Sequence, residues 1–301
     1  MNSLPKNTIY WIYSAAVFCA VTVHQPKAAA ATLSNGWNYA IDSFNDGVTG
    51  SQIGGGEFEF YGIAVKETSD TAFIAINSNL SLAGYAETAA QRGNINYGDL
   101  FFNFSGQNFN TANANGSLFA VRFAEGNDSS VATTGVYSNV TAKNVTQTNS
   151  GFLNLAQYNA IVQSQGGTPS MGDLAANDPY FAQTGKWMVL NSIATGTKVG
   201  EINSLTPATL SALGLNFAQF NARGSQTIGF SFDKSAMPSG SYIANFFAEC
   251  ANDAIAIKSS FEKSSAEAVP EPSTWLGTLA GFSILGIGAA KRKMKRQIRC
   301  N

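Results

Sequence analysis

Alternation of apolar and polar residues at a period of two marks the middle of this chain as strand-forming. Glu57-Phe-Glu-Phe-Tyr-Gly-Ile-Ala-Val65 and Thr71-Ala-Phe-Ile-Ala-Ile76 read as paired strands, with Lys66-Glu-Thr-Ser-Asp70 as the hairpin loop between them. Further strands are predicted over 99–104, 117–124, 135–145, 186–193, 227–233, 242–248 and 254–258, and Gly126-Asn-Asp-Ser-Ser130 and Met237-Pro-Ser-Gly240 supply turn residues. The period becomes helical in two places. Phe152, Leu155, Tyr158, Ile161 and Val162 share one helical face, with Ser150 as a cap and Gly166-Gly167 beyond the end. Thr206-Pro207, then 208–213 and Gly214, put a cap, a first-turn proline and a closing glycine in their preferred order. The expected fold is mainly β, an antiparallel β-sandwich or jelly-roll-like ectodomain carrying two or three short helices.

Both ends carry longer apolar runs of a different kind. Residues 9–23 are apolar apart from Ser14 and Thr22, follow Lys6, and lead into four alanines at 28–31. This is the pattern of a secretory signal peptide over 1–31, with signal peptidase as its processing partner. The second run, 275–290, follows Pro270, Glu271 and Pro272 and precedes Lys291, Arg292, Lys293, Lys295 and Arg296. As a helix its sixteen residues reach about 24 Å, and Trp275 with snorkelling lysines extends that toward a ~30 Å bilayer core. The reading is one C-terminal transmembrane helix with a basic membrane stop, leaving residues 32–270 outside. The chain then divides into a signal (1–31), a β-rich ectodomain (32–258), a Ser/Ala stalk (259–269) and a tail (270–301).

The Pro-Glu-Pro signature, the Gly/Ala/Leu-rich helix directly after it and the terminal basic run together resemble the PEP-CTERM sorting tail of bacterial exosortase substrates. The resemblance covers about the last thirty residues. It implies that Pro270, Glu271 and Pro272 are the recognition element for exosortase, a membrane-embedded cysteine transpeptidase-like enzyme that removes the tail and sends the rest to the cell surface or extracellular matrix. The body is similar to a β-rich ectodomain on cyanobacterial exosortase substrates, a family with no assigned activity to carry across.

Charge narrows the partners. Only 12% of residues are charged, and between Thr32 and Val269 ten basic residues stand against 18 acidic ones, a net charge of about −8. A body of that sign has no basic face for nucleic acid. The single histidine, His24, lies in the signal, so the exported protein has no imidazole for a catalytic triad or a zinc site. Cys250 stands alone in the body and is read as a buried, inert thiol, the alternative being an intermolecular disulfide.

Several constellations invite chemistry. Asp42-Ser-Phe-Asn-Asp46-Gly47 offers oxygen ligands that could wrap Ca²⁺, but it departs from the Asp-x-Asp-x-Asp-Gly loop with a distal Glu, and the preferred reading is a polar loop holding its own backbone. Glu57 and Glu59 alternate with Phe58 and Phe60, which places both carboxylates on one strand face. Glycoside hydrolysis needs such a pair, but position 62 holds glycine where a retaining-hydrolase pattern needs a third carboxylate, so a solvated face is preferred. Trp37 and Trp187 sit beside polar residues and are candidates for stacking on sugar rings. The leading expectation is a non-enzymatic structural or adhesive protein linked to exopolysaccharide, with no catalytic residue and no cofactor. A carbohydrate-binding module and a carboxylate-based glycan hydrolase are the alternatives.

Overall fold

The structure, a computed structural model, describes residues 32–181 and 188–262. The expected signal, Trp187, the apolar run 275–290, the Pro270-Glu271-Pro272 motif and the basic end all lie outside these residues. Among the described residues no helix is long and apolar enough to cross a membrane.

The fold is mainly β, and two six-stranded antiparallel sheets dominate it. In chain order their strands are β1 (Thr32–Ser34), β2 (Trp37–Ile41), β3 (Phe60–Glu67), β4 (Thr71–Ser78), β5 (Leu100–Asn103), β6 (Leu118–Arg122), β7 (Gly135–Lys143), β8 (Ser192–Gly200), β9 (Asn203–Leu205), β10 (Gln226–Asp233), β11 (Gly240–Phe247) and β12 (Ala254–Phe261). One sheet has the order β1-β2-β3-β4-β10-β9 and the other β8-β7-β6-β5-β11-β12. The chain meanders through four strands of each sheet, then returns to pair β10 with β4 and β11 with β5. Three short helices are set into this frame: α1 (Phe109–Ala114), α2 (Leu155–Ser164) and α3 (Pro207–Ala212).

The two-residue period explains how the sheets meet. In β10, Phe230 and Phe232 lie opposite Ile74 and Ala72 of β4. Their rings reach across to the other sheet, Phe230 to Phe123 at 5.3 Å and Phe232 to Phe102 at 6.2 Å between centroids. Ile63, Val65, Ile76, Val121, Phe246 and Ile257 join this central apolar layer. A one-residue slip in β10 would turn both phenylalanines away from the layer, so the pattern sets the register.

Both outer faces are covered as well. The α3 segment with Phe217 closes over Trp37, Tyr39, Ala64 and Ala75, while α1 and α2 lie over Phe101, Ala120, Tyr137 and Phe247. That is why the stretches from Ala244 to Ala248 and from Ala254 to Ile257 are apolar at nearly every position: side chains on both faces of β11 and β12 are buried.

Several expectations change. Glu57 and Phe58 belong to a turn and the strand begins only at Phe60, so the two-residue alternation does not apply to Glu57 and Glu59; Glu57 is exposed and Glu59 fully buried. Helix α2 starts at Leu155, capped by Asn154, whose Oδ1 accepts from Gln157 N at 3.0 Å, and not by Ser150. Of the expected apolar face, Leu155, Tyr158 and Val162 are buried, whereas Ile161 is exposed. The cap of α3 is as expected: Thr206 Oγ1 accepts from Thr209 N at 3.1 Å and Pro207 opens the helix. The strand expected over 186–193 runs instead from Ser192 to Gly200, an edge strand with a largely exposed second half. Residues 259–261, assigned to the stalk, continue β12, and Phe261 is buried against Tyr242 at 4.7 Å.

Candidate metal centre

The ends of β2, β3 and β12 come together. Asp42 N, just past β2, donates to Tyr61 O at 3.1 Å, and Phe60 N donates to Asp253 Oδ2, just before β12, at 2.7 Å. Four carboxylates gather here: Asp42 and Asp46 from the loop after β2, Glu59 from the residue preceding β3, and Asp253 from the β11–β12 turn. Asp42 is 6% exposed and the other three are fully buried. One carboxylate oxygen each of Asp42, Asp46 and Asp253 lies within 4.8 Å of the others.

Backbone and hydroxyl donors hold each carboxylate on one side. Asp42 Oδ1 accepts from Ser43 N at 2.9 Å, from Gly172 N at 3.1 Å and from Ser170 Oγ. Asp46 Oδ2 accepts from Ser170 N at 2.7 Å. Glu59 Oε2 accepts from Gly47 N at 3.0 Å and Gly55 N at 3.1 Å. Gly47 serves a close approach: a Cβ there would sit 2.6 Å from Glu59 Cα and 2.7 Å from Glu59 Oε2. Asp253 Oδ1 accepts from Ala254 N at 2.7 Å and from the Tyr158 hydroxyl of α2 at 3.2 Å. The second oxygens of three of these groups, Asp42 Oδ2, Asp46 Oδ1 and Glu59 Oε1, are buried with no hydrogen-bond partner.

Burial and mutual repulsion act on all four acids in the same direction. Burial raises the Asp42 carboxyl to about 7. Burial, aided by the Asp42 charge, raises Glu59 to about 7. Asp46 and Asp253 are pushed well above the ordinary carboxylate range, by burial first and by neighbouring carboxylates second. The ion pairs among the described residues, Arg92–Asp128, Lys198–Glu201 and Lys234–Glu67, involve none of these acids.

A second buried acidic group nearby is satisfied differently. Glu249 Oε2 accepts from Asn96 N at 2.8 Å and its Oε1 from Asp128 N; Asp99 accepts from Asn127 Nδ2 at 2.9 Å and Ile193 N at 2.6 Å. Arg92 pairs with Asp128 at 3.0 Å, and Arg122 Nε donates to Asn127 Oδ1 at 3.0 Å. Cations and amides thus reach these acids directly or through one side chain, which pins the 126–130 turn to the β11–β12 end.

The structure therefore joins Asp42 and Asp46, as the loop reading allowed, and adds Glu59. It also adds Asp253 and Tyr158, which sequence reasoning did not select as ligands: Asp253 follows Asn252 in what reads as a polar turn after Cys250, and Tyr158 reads as one position of a helical face. Ser43 N does bond its neighbour's carboxylate, so the loop holds its own backbone in part. Trp37 is not available for sugar stacking: it is fully buried under α3, with Nε1 donating to Leu213 O at 3.0 Å. Cys250 is fully buried, burial pushes its thiol up, and an intermolecular disulfide has no access to it. Elsewhere an open groove of about 830 Å³ is lined by Asn38, Asn103, Gln107, Ser241, Lys258 and Ser260 among others.

Compared with known proteins, the chain matches no family model, no curated protein and no solved structure.

Proposed function

We propose that this is an exported cell-surface or extracellular-matrix protein, sorted and trimmed by exosortase, whose jelly-roll-like β-sandwich has a non-enzymatic structural or adhesive role linked to exopolysaccharide. One observation carries the reading: Pro270-Glu271-Pro272, the apolar run 275–290 and the basic cluster from Lys291 to Arg296 follow one another in the order of a sorting tail, a few residues after the last strand of the β body. The body suits that destination. Its aromatic residues are mostly spent on three packed layers, and the Glu57/Glu59 pair on which glycan hydrolysis would have rested is split between solvent and interior. Intact mass and cell fractionation test it. In host cells with exosortase the mature protein is expected outside and without residues 275–301; in cells lacking the enzyme it stays in the membrane with the tail attached. Retention of the tail in normal cells overturns the reading.

A second reading, a carbohydrate-binding module, is supported by the groove beside β11 and β12. Its amides, serine hydroxyls and Lys258 are hydrogen-bonding groups of the kind that sugar hydroxyls engage.

A further inference from the structure

We infer that Asp42, Asp46 and Asp253, with Glu59 buried beside them, hold one Ca²⁺ ion that ties the loop after β2 to the β11–β12 turn. Two observations support this independently. The first is convergence. Oxygens of Asp42, Asp46 and Asp253, brought together from positions more than 200 residues apart, lie within 4.8 Å of one another. Two oxygens that share a Ca²⁺ at about 2.4 Å can be at most about 4.8 Å apart, so the spacing is one that a common ion permits.

The second is the set of orphaned oxygens. Asp42 Oδ2, Asp46 Oδ1 and Glu59 Oε1 are buried with no hydrogen-bond donor, on side chains at most 6% exposed. Each of these acids is gripped through its other oxygen by fixed donors: Gly172 N and Ser43 N, Ser170 N, and Gly47 N with Gly55 N. Hydrogen bonds that hold a metal-ligating carboxylate through one oxygen leave the other free for the ion, as at Asp42 and Asp46. The neighbouring Glu249 cluster contrasts with this, since both of its oxygens are bonded and Arg92 and Arg122 lie close by.

The donor set selects the ion. All three ligands are hard carboxylate oxygens, which favours Ca²⁺ or Mg²⁺ over zinc and copper. Mg²⁺ needs near-ideal octahedral geometry and keeps several waters, whereas Ca²⁺ accepts an irregular, mostly protein-built shell. A site with Asp46, Glu59 and Asp253 all fully buried suits the ion that dehydrates more readily. The consequence is a calcium-strengthened fold: the ion's two positive charges offset the repulsion among the carboxylates at the point where three strand ends meet. The inference rests on these side chains alone and stands whether or not the sorting reading does.

The test uses the purified chain, stripped with chelator and returned to calcium-free buffer. Elemental analysis after dialysis against Ca²⁺ is expected to find one bound ion per chain, and saturating Ca²⁺ to raise Tm by roughly 5–10 °C. Asp42→Asn and Asp46→Asn keep an acceptor oxygen while removing a like charge, so both variants are expected to fold and to lose at least half of the calcium-induced rise. Absence of bound Ca²⁺ with an unchanged Tm overturns the inference. So does a full calcium response in both variants, and an equal response to Mg²⁺ overturns the choice of ion.

Discussion

Removing all divalent cations and raising the pH from about 5 to about 8 should destabilise this protein, against the common pattern in which acid is the harmful direction. In the folded chain Asp42 and Glu59 are raised by burial to about 7, from ordinary values of 3.8 and 4.5, and Asp46 and Asp253 are raised well above the ordinary carboxylate range. The groups facing one another are these four acids and the Tyr158 hydroxyl. Between pH 4.5 and 7 the folded state binds more protons than the unfolded one, so unfolding free energy falls as pH rises. The contribution is complete below the unfolded values near 4 and is lost as pH climbs through about 7. For Glu59 alone, a rise from 4.5 to about 7 corresponds to about 3 kcal/mol. Asp42 carries a similar amount, but acids that repel one another share protons, so we take one group's worth as the size of the effect. At roughly 2–4 °C per kcal/mol for a domain of this size, Tm should drop by roughly 6–12 °C. Glu249, raised by burial to about 7, and Asp173, raised to about 6, act in the same direction. Thermal unfolding followed by near-UV circular dichroism at four pH values, in calcium-free buffer, measures it. Glu59→Gln isolates the cluster: the variant should show a shallower slope and outlast the parent at pH 8. Stability in calcium-free buffer that is flat or rising from pH 5 to 8 would refute the reasoning. With calcium present the slope should reverse, because the ion binds only ionised ligands and displaces their protons.

Two further outcomes follow from the packing and the surface. Trp37→Ala should cost about 3–5 kcal/mol in urea unfolding, since the indole is fully buried against Tyr39, Leu210 and Phe217; a loss under 1 kcal/mol would mean that the α3 segment does not close over the sheet. If the groove holds polysaccharide, the double change Gln107→Ala and Lys258→Ala should weaken binding of host exopolysaccharide about tenfold, as loss of a charge-assisted hydrogen bond would, with Tm unchanged. Unaltered binding in a co-sedimentation assay would dismiss the groove.

How much was legible varies with the distance over which the deciding interaction acts. β4, β10, β11 and β12 were visible as apolar patterns because each buries one or both faces along its length, and α3 was visible because Thr206, Pro207 and Gly214 are local signals. The short β1 and β2 escaped, although Trp37 and Tyr39 alternate correctly, because five residues of strand next to a glycine turn carry little pattern. Helix α1 is six residues long and is held by Asn108 and by the burial of Phe109, too short for a period to show. Trp37 was misread since polar sequence neighbours say nothing about α3, which arrives from about 170 residues away to cover it.

Sequence by itself determined that the body is built from strands, that its sole cysteine has no partner within the body, that the body has no histidine, and that apolar runs occupy 9–23 and 275–290, the second followed by a basic cluster. Those conclusions rest on composition and on periodicity within single segments, which need no knowledge of what lies opposite. Only the tertiary structure decided the carboxylate centre. Asp42 and Asp46 read as a self-bonded loop, Glu59 as a solvated strand residue and Asp253 as part of a polar turn beside Cys250, because the property that unites them is the loss of water around all four at once. Desolvation and like-charge repulsion depend on which strand ends fold against one another, and that is set by the pairing of two sheets across the core.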